Sequence, residues 1–221
     1  MIWDDVQLGA KRKGEIEFAL DQSQTAVLTQ PGPWGNAYSG FCAGLAVRWI
    51  WLRYGNTDYP FDPRTRELEM PDWQATREQN IYEDAMGDWK AKYTEGCRVY
   101  GMTINLGRVR EWNLTATGEM LRSAALAGPG CYIISIRRAG GGHAVAMQNE
   151  DGTTFRFFDA NYGEFVLKGA VRFARFIDEY WSDTGYKLKY NAATRVGGVN
   201  PPPPSSYAGG GVKELARRFG G

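Results

Sequence analysis

Residues 131–160, CYIISIRRAGGGHAVAMQNEDGTTFRFFDA, decide the fold class. After Gly128-Pro129-Gly130 the apolar residues fall into short β-type runs: CYIISIRR at 131–138, HAVAMQ at 143–148 and TFRFFDA at 154–160. AGGG and NEDG lie between them, rich in the residues that supply tight turns. Three short strands joined in this way make an antiparallel β-meander.

Upstream the period is helical. In YSGFCAGLAVRWIWLRYG, residues 38–55, Cys42, Leu45, Ala46, Trp49 and Ile50 recur at three- and four-residue spacing, and Gly55 supplies a stop. Ser39 is the expected N-cap, which places Cys42 in the first turn. Residues 56–72, with three prolines, read as a loop, and DWQATREQNIYEDAMGDWKAKY at 72–93 reads as a second helix. Further helices are expected over 117–127 and in GAVRFARFIDEYW at 169–181, and YKLKYNAATRV at 186–196 reads as a returning strand. Helices first and sheet later is the α+β class. The expected organisation is an N-terminal arm at 1–30, one domain at 31–199, and a Pro/Gly-rich linker with a short basic tail at 200–221, and by composition the linker pattern GGVNPPPPSSYAGGG already opens at Gly197.

A chain of 221 residues with 43% hydrophobic content is long enough to bury a core. Its net charge of +1, without a long Lys/Arg run, lacks the electrostatic footprint of a nucleic-acid binder, so nucleic acid is not an expected partner. No stretch approaches the ~20 apolar residues of a membrane span. The start, MIWDDVQLGAKRKG, lacks the basic-then-apolar order of a cleaved signal peptide, so the protein is expected to be cytoplasmic or exported by a route without that signal. Cys42, Cys97 and Cys131 are odd in number and widely spaced, which argues against a disulfide framework and a zinc site. No phosphate loop, dinucleotide fingerprint or H-E-x-x-H motif occurs, so no cofactor is expected.

His143 is the only histidine, so any imidazole acid–base chemistry must use it. A hairpin closed by a three-residue Glu150-Asp151-Gly152 loop sets Met147 opposite Phe155, Val145 opposite Phe157 and His143 opposite Asp159. Directly opposed Cβ atoms lie about 5 Å apart, within reach of a carboxylate–imidazole bond. A two-residue Asp151-Gly152 loop instead leaves His143 beside Ala160, because a one-residue slip exchanges the faces of a strand. Asp159 is also suited to forming the turn before ANYG.

A thiol at a helix start beside an imidazole gains both a favourable field and a proton acceptor, and an aspartate on that imidazole completes a nucleophile–base–orienter set. Cys42, His143 and Asp159 supply those residue types. The Cys42 backbone N–H is one expected oxyanion donor, and Asn36, in the glycine-bounded loop before it, is either a second donor or an ordinary turn residue. Cys97 and Cys131 start no helix and read as structural.

The set SGFCAGLAVRWI, GGHAVAM and FFDANYGEF resembles the YopT/AvrPphB type of bacterial cysteine protease (peptidase family C58), over roughly residues 30–195. The resemblance implies a papain-like fold, with the nucleophile's helix packed across a central antiparallel sheet. It implies Cys42 as nucleophile, His143 as general base, Asp159 as orienting acid and Asn36 in the oxyanion hole. It further implies a secreted effector without a cleaved signal peptide, cutting a protein substrate in the host cell cytoplasm. A deamidase or transglutaminase acting on a Gln side chain uses the same three groups, and a catalytically silent binding module keeps the same scaffold.

Overall fold

The computed structural model describes residues 6, 9, 16–18, 41–55, 79, 81–83 and 85–203. Asn36, Ser39, the Lys13-Gly14 bond, the loop at 56–72 and the chain after 203 lie outside the described residues.

Seven strands are present among them: β1 (Ile16–Phe18), β2 (Thr103–Trp112), β3 (Gly130–Arg138), β4 (Gly141–Asn149), β5 (Thr154–Asp159), β6 (Gly163–Lys168) and β7 (Ala193–Asn200). They form one sheet in the order β1-β6-β5-β4-β3-β7-β2, antiparallel throughout. The helices are α1 (Cys42–Tyr54), α2 (Trp89–Arg98), α3 (Gly118–Ala125), α4 (Ala170–Asp183) and the single turn α5 (Tyr186–Lys189). The α+β class holds, and the expected meander is the centre of a wider sheet.

Alternation along the central strands separates two cores. Cys131, Ile133, Ala144, Ala146 and Phe158 face a cluster built on α1 and α2, whereas Tyr132, Ile134, Val145, Met147 and Phe157 face one built on α3 and α4. Both faces are covered, so β3 is buried without a break from Cys131 to Ile136, with Ser135 its one polar member, and does not show an apolar–polar alternation. Ala43 to Leu52 of α1 are all buried, as in a helix enclosed on every side.

Three sequence readings need correction. The helix expected over 72–93 is interrupted at 85–88, where Gly87 takes φ +102° and the Asp88 carboxylate caps α2 by accepting from Ala91 N at 3.0 Å. The strand expected over 186–196 begins only at Ala193, after the helical turn α5. Gly197 and Gly198, which read as linker, lie inside β7: a Cβ on Gly197 would stand 3.3 Å from the Trp89 ring and one on Gly198 2.7 Å from Arg108 Cβ. Glycine is there because side chains lie flat on that strand. Within the stretch expected as an arm, Ile16–Phe18 pair with β6 and Val6 is buried against the α4 side of the core.

Candidate active site

Cys42 is the first residue of α1, half-exposed, while Cys97 and Cys131 are buried. Phe41 occupies the N-cap position and gives no side-chain bond. The cap comes from a distant residue: Gln79 Oε1 accepts from Ala43 N and Gly44 N, both at 3.1 Å, and Gln79 Nε2 donates to Glu83 Oε1 at 2.8 Å. No sequence pattern pointed to Gln79, because its partners stand 35 and 36 positions away.

His143 lies near the start of β4, and its Nε2 is 2.9 Å from Asp159 Oδ1. The register differs from both expected ones: Val145, not His143, stands opposite Asp159, and Met147 opposite Phe157. The loop is Asp151-Gly152-Thr153, closed by Glu150 N to Thr154 O at 3.0 Å. The Asp151 carboxylate accepts from Thr153 N and Thr154 N and centres the turn on Gly152, at φ +85°. The slip is two residues, so every side chain keeps its face and His143 meets Asp159 on the diagonal.

The segment FFDANYGEF holds this arrangement in place. Asp159 Oδ1 also accepts from Asn161 N at 2.8 Å, and Asp159 Oδ2 accepts from the Tyr180 hydroxyl of α4 at 2.8 Å. Asn161 Nδ2 donates to the Tyr186 hydroxyl at 2.7 Å, and Gly163 takes φ +114°, which lets the chain turn directly into β6. Glu164, fully buried, accepts from Trp49 Nε1 of α1 and from Arg156, each at 2.8 Å, with Arg53 of α1 at 3.5 Å. One nine-residue stretch therefore orients the imidazole and ties α1 to the sheet. Tyr186 meets the His143 ring edge-on at 5.4 Å and Tyr190 stacks on it at 6.0 Å. Tyr180, Tyr186 and Tyr190 were legible only as members of apolar patterns.

With Nε2 engaged by Asp159, the other ring nitrogen, Nδ1, is the one left for the Cys42 thiol, which lines the same cleft as the ring. Burial pushes the Cys42 thiol up, but the charge of His143, its hydrogen bond and the Ala144 N–H outweigh burial and bring the thiol below its usual range. Burial alone lowers the basicity of His143, yet the charges of Asp159 and Cys42 and their hydrogen bonds raise its pKa to about 10. At neutral pH the pair favours thiolate and imidazolium, the charge distribution of a sulfur nucleophile beside a proton donor. Burial pushes Cys131 up to about 12 and keeps it an inert thiol. A cleft of about 200 Å³ opens on the pair, lined in part by Gln79, Glu83, Tyr93, Arg137 and Gly142.

The family model for peptidase C58, described as Yersinia/Haemophilus virulence surface antigen, matches residues 113–197, which contain His143 and Asp159. No curated protein sequence matches the chain. Among solved structures, the Pseudomonas avirulence protein AvrPphB superposes with a TM-score of 0.57 at 19% identity, covering 72% of this chain and 91% of that one. PatoxP, a cysteine protease-like domain of the Photorhabdus asymbiotica toxin PaTox, gives 0.44 at 10% identity, covering 87% of this chain and 58% of that one. The chain therefore has the α+β, papain-like fold shared with AvrPphB, and its residues 113–197, which bear His143 and Asp159, are similar to the peptidase C58 family, in agreement with the motif resemblance.

Proposed function

We propose that the protein is a cysteine endopeptidase, delivered by a bacterium without a cleaved signal peptide, that cuts a protein inside a host cell. The observation that carries the reading is the chain of contacts from Cys42 through His143 to Asp159, in which the thiol is lowered and the imidazole raised. Cys42 Sγ attacks a peptide carbonyl, and the carbonyl oxygen takes the charge of the tetrahedral intermediate. The backbone N–H of Cys42 receives that oxygen, with Asn36 as the second donor. His143 gives its proton to the departing amine, the acyl group remains on sulfur, and a water deprotonated by His143 releases it as a carboxylate. Asp159, held by Asn161 N and Tyr180, keeps the ring aligned throughout.

N-terminus mapping of a eukaryotic cell extract, incubated with the protein or with Cys42→Ala, tests the proposal. New N-termini are expected with the active form only, and Asp159→Asn is expected to retain a small residual rate, because its role is orientation. The same termini with Cys42→Ala, or a gain of about one mass unit on glutamine without any cut, would overturn an endopeptidase.

A further inference from the structure

An α-helix exposes unpaired N–H groups in its first turn, and Asp, Ser, Thr or Asn at the N-cap usually satisfies them. In α1 the cap position is Phe41, and the first turn carries no acidic residue. Gln79 fills the role from outside the helix. It is 4% exposed and its carbonyl bonds two successive N–H groups, those of Ala43 and Gly44. Its amide nitrogen is held by Glu83, which fixes which end of the side chain meets the helix. The Cys42 N–H takes no part in this bond pair, and no acceptor among the described residues claims it.

The chemistry of this cap distinguishes it from an aspartate or glutamate. A carboxylate would satisfy the same N–H groups but place a negative charge one residue from the sulfur, favouring the protonated thiol. The other groups facing Cys42 leave room for such an effect. The charge of His143 acts on the thiol more strongly than that of Asp159, and Tyr82, Tyr93 and Tyr190 are neutral phenols, all raised by burial first, Tyr190 to about 12. On the cleft walls stand Glu83 and Arg137. Glu83 is exposed and bonded through Gln79, so the amide lies between the acidic group and the helix end.

We propose that Gln79 is a positioning residue, a neutral cap that holds the first turn of α1 in place while keeping the Glu83 charge off the Cys42 sulfur. The inference rests on the reading of Cys42 as the nucleophile.

The test follows the rate of Cys42 carbamidomethylation by iodoacetamide from pH 5 to 9.5 in the full chain, located by peptide mass. The double variant Gln79→Glu with Glu83→Gln keeps the hydrogen-bonded pair and moves the carboxylate onto the helix end. It is expected to raise the pH midpoint and slow the reaction at pH 7 by about tenfold. Gln79→Glu alone is expected to shift the midpoint in the same direction, and Glu83→Gln alone is not expected to raise it. A folded double variant with the wild-type midpoint would overturn the proposal. Hydrogen exchange on the wild-type protein is a second check that needs no variant. The Ala43 and Gly44 amides are expected to be as protected as the interior of α1, and exchange at the rate of free first-turn amides would overturn the cap. A wild-type Cys42 titrating as an ordinary thiol would instead defeat the nucleophile reading, whatever Gln79 does.

Discussion

Asp159 gains its position from three elements at once: β5 carries it, the turn at Asn161 donates a backbone N–H, and α4 brings the Tyr180 hydroxyl. It is completely buried, so its cost of desolvation is offset by these bonds and by the His143 imidazolium. The linkage has a definite sign. The folded pKa of His143 stands at about 10 against an ordinary 6.5, so the fold binds that proton more tightly than the unfolded chain does. The stabilisation is complete below the ordinary value and is lost as pH rises through about 10. Thermal melts from pH 6 to 10.5 should therefore show a larger alkaline decline for wild type than for His143→Gln; parallel curves would remove the raised histidine. Proteolysis should rise as the Cys42 thiolate forms, below the usual thiol range, and fall as His143 loses its proton.

Among elements, the junction between α1 and the sheet matters most, because it sets the distance between thiol and ring. Ala144 and Ala146 of β4 are small where they face the α1 core, and Trp49 stacks on Phe158 of β5 at 5.6 Å. Glu164 adds the polar anchor, accepting from α1 and from Arg156 at a buried site. Replacing it by glutamine keeps the shape but removes the buried charge that Arg53 and Arg156 share, although Arg156 keeps its pair with Glu150. Glu164→Gln is expected to cost about 3 kcal/mol in urea unfolding, in line with removing one partner of a buried ion pair. A loss under about 0.5 kcal/mol would show that the contacts are those of a solvated surface pair.

For the molecule as a whole, β7 is the last described strand to enter the sheet, lying between β3 and β2 and ending at Asn200. Every residue named at the site precedes that point. Deletion of residues 204–221 is accordingly expected to leave the rate of Cys42 carbamidomethylation and the melting temperature unchanged, whereas truncation at 192, which removes β7, is expected to prevent folding. A drop in the thiol rate on the shorter deletion would show that the tail contributes to the site. The sequence by itself determined what local pattern carries: a helix with Cys42 in its first turn, the central strands, the long helix over 170–183, and the residue types of the thiol, imidazole and carboxylate. Hydrophobic period and turn chemistry act over a few residues, so they are readable in one dimension. They left β2 unread because TINLGRVREW lies mostly exposed or half-exposed at a sheet edge, and misread Gly197-Gly198 because the reason for glycine there is a pair of side chains from elsewhere. Only the tertiary structure decided the diagonal register of His143 and Asp159, the Tyr180 bond, the Glu164 anchor and the Gln79 cap. Each joins residues distant in sequence, or turns on a loop closure that two or three residues satisfy almost equally well, and three-dimensional packing selects between such alternatives.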